Sequence, residues 1–313
     1  MHTVEDELTM EQVTEEKERY FGSVRFFKNL ILLAVIIMIA VPTGFSFCLT
    51  KELKTTEQNL QDMATQYDVL CHSETFWYGW EAESPYESLY PDFYAPQELT
   101  NGVRKDGVMY LTFDDGPSAR TGEILDILQE KDVKATFFVI GTDGAQNAAL
   151  LKRIVDEGHT LAMHTNSHNY TKMYASVEDY LADMYQIFTQ IKETTGVTPT
   201  LFRFPGGSIN NYNSGICQEL IAEMLRRGFV PFDWNISSKD AATTKLLSAD
   251  VIVNNVVTSA EKVSYGIVLM HDSAAKTTTA KAVGPMIDQL REMGFTFEAL
   301  TPETKSMLFA YGK

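Results

Sequence analysis

The stretch LTFDDGPS, residues 111–118, closes an apolar run with two adjacent carboxylates, Asp114 and Asp115. Three chemistries suit such a pair: a plain turn, the acid pair of a glycosidase, or a metal ligand with a base beside it. Consecutive residues leaving a strand point in divergent directions. They therefore do not easily bind one ion together, nor flank a glycosidic bond across the roughly 5 Å or more that acid pairs need. Asp-Gly and Gly-Pro by themselves signal a turn. The segment HTNSH changes the balance. His164 and His168 stand four apart, which puts two imidazoles on one side of a helical turn and offers two ligand positions to a borderline metal such as zinc. An Asp from another strand end would complete the set and leave a position open. Divided labour then suits the aspartate pair, with one carboxylate on the metal and its neighbour as a base. Further ionisable groups end other apolar runs: Arg203 in FRFP, Asp240 after DWNISSK, and His271 with Asp272 after VLM.

The elements that must position these groups can be read from the pattern. The runs VMYLTF, ATFFVI, TLAMHT, TLFRFP, FVPFDWN, GIVLMHD and FTFEAL alternate with helical patterns over about 121–131, 145–157, 176–195, 214–227, 245–261 and 279–293. Gly158, Gly196, Gly228 and Gly294 stand just past four of these helices, as C-cap glycines do. Ser176 suits an N-cap before VEDYLADM. Strands alternating with helices imply a parallel sheet. About seven such units in under 200 residues suggest an α/β fold built as a deformed or incomplete (β/α) barrel, TIM-like, rather than an open doubly wound sheet. In such a barrel the carboxyl ends of the strands carry the active site.

Residues 29–50 contain no charge and can span the roughly 30 Å apolar core of a bilayer. Lys17, Arg19, Arg25 and Lys28 on the amino side outweigh Lys51 and Lys54 on the other. This predicts a cytoplasmic tail over 1–28, a transmembrane signal anchor over 29–50, and an extracellular body held at the cell membrane by a single pass. A cleaved signal peptide with small residues at Gly44 and Ser46 is the rival. Residues 51–71 read as a helical stalk, and a second copy could pair with it as a coiled coil through 51–70. The aromatic and Pro-rich stretch 72–107 reads as a linker packed on the barrel; the rival is a sugar groove lined by Trp77, Tyr78 and Trp80. The net charge of -16 argues against a nucleic-acid partner. Three cysteines, Cys48, Cys71 and Cys217, make no disulfide framework, and unpaired thiols are the expectation for the last two.

In chain order, TFDDGP, HTNSH, RFPGG, WNISSKD and LMHD resemble the polysaccharide deacetylase family, the NodB-homology carbohydrate esterases of family 4, over about 108–300. The whole chain, with LYPDFYAPQ before the domain, looks like the membrane-anchored peptidoglycan deacetylases of Gram-positive bacteria. The resemblance implies a catalytic domain over 108–313 with Asp114 as base and Asp115, His164 and His168 as the ligands of one divalent metal, most often Zn2+, otherwise Co2+, Mn2+ or Ni2+. It implies that Arg203 orients the base, His271 is the general acid and Asp240 orients it. On the substrate side it implies Pro205, the Gly206 N–H as oxyanion donor, and Leu269 against the acetyl methyl. Two departures bear on the substrate. The family often has Tyr or Phe where this chain has Gly206, and Trp where it has Ala241.

The implied reaction is hydrolysis of the N-acetyl group from amino sugars of a cell-wall glycan, foremost peptidoglycan N-acetylglucosamine, with release of acetate. N-acetylmuramic acid, chitin oligomers and xylan are the other substrates, and a catalytically silent glycan-binding module is the reading from another class. Single residues have plainer readings. Asp233 could replace Asp240 beside His271. His159 suits a structural histidine, Met163 and Met270 suit the core, and Asp272 suits a cap.

Overall fold

A computed structural model of the chain describes residues 26–34, 38, 84–96 and 99–309. The chain divides into two compact units, residues 1–70 and 71–313. In the first, residues 26–34 are helical and mostly exposed. Among the described residues no helix is long and apolar enough to cross a membrane. Most of the 29–50 run lies outside the described residues, as do the 51–71 stalk, Trp77, Tyr78, Trp80, Cys48 and Cys71.

In the second unit the strands are β1 (Val108–Gly116), β2 (Thr136–Ile140), β3 (Thr160–Thr165), β4 (Leu201–Phe202), β5 (Val230–Pro231), β6 (Ile236–Ser237), β7 (Gly266–His271) and β8 (Thr296–Phe297). The helices are α1 (Ala119–Glu130), α2 (Ala145–Asp156), α3 (Tyr170–Met173), α4 (Val177–Thr195), α5 (Cys217–Arg226), α6 (Ala249–Ala260) and α7 (Thr277–Glu292). Every ladder is parallel, in the order β5-β4-β3-β2-β1-β7-β6, with β8 on the start of β1. Among the described residues no ladder joins β5 to β6, so the curled sheet stays open. The run FVPFDWN is therefore not one strand. Pro231 has no N–H with which to extend a ladder, and Asp233 N donates to the carbonyl of Met307 (2.7 Å).

Period-two alternation sorts the side chains. One face of the sheet packs on the helices through Leu111, Phe113, Phe137, Met163, Phe202 and Met270. The other face gathers Tyr110, Phe138, Ala162, Leu201, Phe232 and Ile267 into a separate apolar cluster. Counting onward by twos along that inner face gives Asp114 on β1, His164 on β3, Arg203 after β4, and Leu269 then His271 on β7. The polar groups thus stand above an apolar floor, at the carboxyl ends of the strands.

Ser176 caps α4 by accepting from Asp179 N, and Gly158, Gly196, Gly228 and Gly294 all have positive φ. The segment 84–96 packs on the domain. Phe93 is fully buried, and the buried Arg227 donates to the carbonyls of Tyr86, Leu89, Tyr90 and Phe93 and to Glu223 Oε1. That is the coat reading for this part of the linker.

Candidate metal centre and catalytic groups

Asp114 and Asp115 do not diverge as neighbours on a regular strand do. The β1–β2 register shifts between Asp114 and Gly116, and Asp115 takes φ +73°, a left-handed conformation uncommon for a non-glycine residue. Both carboxylates consequently face His164: Asp115 Oδ1 lies 3.6 Å and Asp114 Oδ2 3.9 Å from its Nε2. Gly116 permits the arrangement, because a Cβ there would stand 2.2 Å from Asp272 Oδ2.

The histidines are not on a helical turn either. His164 belongs to β3, and His168 sits in the following loop at φ +50°. Asp183, buried on α4, shapes that loop by accepting from Thr165 Oγ1 and from the N–H groups of Asn166 (2.6 Å) and Ser167 (3.1 Å). One ligand atom each from Asp115, His164 and His168 fall within 4.8 Å of one another.

This donor set fits a divalent cation. His164 Nδ1 lies 2.9 Å from the Arg203 carbonyl oxygen, which can only accept, so the proton is on Nδ1 and the Nε2 lone pair points at the cluster. Burial lowers the His164 pKa and keeps the ring neutral. Asp115 Oδ1 is buried, and His168 Nε2 stands 3.1 Å from it. A cation shared by the two resolves that approach; without one, a proton on His168 does so. The His168 pKa is accordingly raised, chiefly by its hydrogen bond to Asp115. Burial alone would raise the Asp115 carboxyl, but the His168 hydrogen bond and the charges of His164, His168 and His271 outweigh it, and the net shift is strongly downward. Two imidazoles and a carboxylate suit zinc and its borderline neighbours.

Arg203 is fully buried. Its Nη1 donates to Asp114 Oδ1 (2.9 Å) and Thr112 Oγ1 (2.7 Å), its Nε to the Phe232 carbonyl (2.8 Å) and its Nη2 to the Asp233 carbonyl (3.2 Å). The guanidinium also lies over the Phe138 ring, 4.1 Å from its centroid. A buried guanidinium needs this full set of partners.

On β7, His271 Nδ1 is 2.8 Å from Asp240 Oδ1, and the main-chain N–H of His271 donates to Asp240 Oδ2 (2.9 Å). Thr279 Oγ1 donates to Oδ2 and Lys276 Nζ to the Asp240 carbonyl, both at 2.8 Å. Burial opposes a charged His271 ring, but the hydrogen bond and charge of Asp240, with Asp114 and Asp115 behind, push its pKa up to about 9. Asp240 is therefore the partner of His271. Asp233 instead accepts from Ser208 N and Phe309 N and joins the RFPGG loop to the C-terminal segment.

Gly206 follows the buried Pro205 at φ +79°, and its N–H has no acceptor among the described residues. Leu269 is buried two residues before His271, in register with Thr112. His159 is structural: its Nδ1 accepts from Ala135 N, and burial lowers its pKa to about 4. Met163 and Met270 are fully buried, and Cys217 is a buried free thiol. Asp272 does more than cap a loop. It lies fully buried behind the DDG turn, accepts from Thr121 Oγ1, and burial beside Asp115 and Asp114 raises its pKa to about 7. Thr279 supports the site from outside every motif, while Thr112 and Asp272 support it from inside TFDDGP and LMHD without being among the catalytic or metal-binding residues those motifs imply. Only their parity on a strand or their place one turn into a helix could have pointed to them.

Comparison with known proteins agrees with this geometry. Residues 101–224 match the polysaccharide deacetylase family model. A peptidoglycan-N-acetylglucosamine deacetylase of Bacillus cereus is 37% identical over 213 residues, covering 67% of this chain and 74% of that one. YheN of Bacillus subtilis is 30% identical over 279 residues, covering 88% and 90%. The catalytic domain of a peptidoglycan N-acetylglucosamine deacetylase from Eubacterium rectale superposes with a TM-score of 0.63 at 34% identity, covering 70% of this chain and 99% of that domain. Motif order, strand-end placement and these relatives agree: the chain belongs to the polysaccharide deacetylase family.

Proposed function

We propose that this chain is a metal-dependent N-deacetylase of cell-wall polysaccharide, acting foremost on peptidoglycan N-acetylglucosamine and releasing acetate. The observation that carries the reading is the pairing around the ligand cluster: a carboxylate held by Arg203 on one side and an imidazole held by Asp240 on the other. Asp115, His164 and His168 would hold the cation, Zn2+ by preference, and when bound it would polarise the acyl carbonyl and acidify a water.

The residues of the chain divide the remaining work. Asp114, fixed through Oδ1 by Arg203, turns Oδ2 to the site and takes one proton from the attacking water. The Gly206 N–H donates to the acyl oxygen as it gains negative charge. The carbon–nitrogen bond then breaks, and His271, oriented through Nδ1 by Asp240, gives its Nε2 proton to the leaving amine. Leu269 offers an apolar surface to the acetyl methyl. Water oxygen ends on the acetate and the amino sugar leaves with a free amine.

The uncharged run 29–50 and the basic residues before it support an anchored enzyme at the cell membrane, with its N-terminus cytoplasmic and this domain outside. Pairing of two copies through 51–70 belongs to the same reading. The test is acetate release from re-N-acetylated peptidoglycan and from N-acetylglucosamine oligomers with zinc added. Release that a chelator abolishes and zinc restores supports the proposal; no release from any acetylated glycan favours a silent glycan-binding module.

A further inference from the structure

Tyr170 lies outside the five motifs, at the start of α3. Its ring meets His168 edge-on, with centroids 5.4 Å apart and planes at 83°. It meets Tyr212 at 5.2 Å and 61°. It also faces Gly206: a Cβ built there would lie 2.9 Å from Tyr170 Cε1 and 3.3 Å from its hydroxyl oxygen. Tyr170 therefore fills the space into which a side chain at 206 would grow. With φ at +79° as well, glycine is the residue this position accepts. The aromatic bulk missing from position 206 thus reaches the same place from another loop.

Tyr212 continues the surface outward and is 58% exposed. Its loop is well braced. Tyr212 N donates to Asn210 Oδ1 (2.8 Å), and Asn210 Nδ2 donates to the carbonyls of Pro205 (3.1 Å) and Gly207 (3.3 Å). The Tyr174 hydroxyl also donates to the Pro205 carbonyl (2.8 Å). The Tyr170 hydroxyl has no hydrogen-bond partner among the described residues. Tyr170 rests against the main core and against Tyr174 (5.9 Å, 74°), while Tyr212, on its braced loop, carries an exposed ring outward from that of Tyr170. A pyranose offers apolar C–H faces and hydroxyl groups, which suit a flat ring beside an unpartnered phenol.

We infer that Tyr170 and Tyr212 form a sugar-binding wall, with Tyr170 flanking the acetylated unit and Tyr212 stacking on the next pyranose of the glycan, so that the enzyme prefers an oligomer to a monosaccharide. This rests on the deacetylase reading above. The wall is tested by comparing kcat/KM for acetate release from the tetramer of N-acetylglucosamine with that from the monomer. In Tyr212→Ala the tetramer-to-monomer ratio falls roughly threefold to tenfold, mostly through KM, and Tyr212→Phe keeps most of it. Tyr170→Leu lowers the same ratio, and an unchanged zinc affinity in that variant shows that His168 has not moved. Calorimetry of the tetramer on the metal-free proteins reads the same loss as weaker binding. A ratio near one in the wild type, or one unaltered by Tyr212→Ala while acetate is still released, overturns the wall alone. Failure of the wild type to release acetate from any acetylated glycan overturns the deacetylase reading, and the wall with it.

Discussion

Asp114 and His271 are register partners on the adjacent parallel strands β1 and β7. The carboxylate tied to Arg203 and the imidazole tied to Asp240 thus open side by side onto one mouth. Asp114→Asn keeps the size of the side chain and removes its ability to accept a proton as a base. Turnover should fall by about 10²- to 10⁴-fold. Metal content, measured by elemental analysis, should stay that of the wild type, because Asp114 is not one of the three ligands.

The His271 ring gives a pH prediction. Its pKa of about 9 in the metal-free protein rests on Asp240. In Asp240→Asn the ring should titrate at markedly lower pH by proton-detected NMR. A cation beside Asp115 opposes protonation of His271, so the alkaline limb of activity in the loaded enzyme should lie below the metal-free value. While the lowered Asp240 pKa contributes stability that is lost in acid, the raised His271 pKa contributes stability that is complete below about 6.5 and is lost as pH rises through about 9. Urea denaturation of the metal-free wild type should show that decline, and Asp240→Asn should flatten it.

His168 makes metal uptake sensitive to acid. Its raised pKa, set by Asp115, means that protons compete for Nε2 from above the usual histidine range downward. Zinc affinity by chelator competition should therefore weaken steadily from about pH 8 to 6. His168→Ala should lose zinc at all these values, with a fold unaltered by circular dichroism, since His168 is a loop residue.

Arg227→Met tests the coat. The substitution leaves Glu223 with Arg226 and Ser84 and takes a donor from four main-chain carbonyls, of which those of Tyr86 and Tyr90 keep a main-chain N–H and those of Leu89 and Phe93 do not. About 3 kcal/mol of stability should be lost. Limited proteolysis should cut first within 84–96, well before the barrel strands.

Much of the site could be read from the chain because it sits at strand ends, where short apolar runs stop at polar residues. Helix positions were legible for a similar local reason: Ser176 and the four cap glycines act within a turn of their own sequence. What stayed hidden depends on partners distant in sequence. Nothing in HTNSH states that Asp183, on a later helix, draws the loop back so that His168 joins His164 across a strand end. The spacing looks helical because four residues make one helical turn. The turn at Asp115 needs a bulge against β2 and room beside Asp272, neither visible in DDGP. Tyr170 gave no signal, because its meaning comes from a glycine 36 positions away.

Arg203 serves two masters at once. Its side chain grips Asp114, while its own main-chain carbonyl fixes the tautomer of His164. Exchange for lysine would keep a positive charge yet could not span Asp114, Thr112 and two carbonyls together. The two duties sit on different atoms of one residue, so a change of side chain frees Asp114 and leaves the carbonyl at His164 in place. On the proposed mechanism such a change would silence turnover in a single step while sparing the cation cradle and the aromatic surface, a short evolutionary road from hydrolase to lectin.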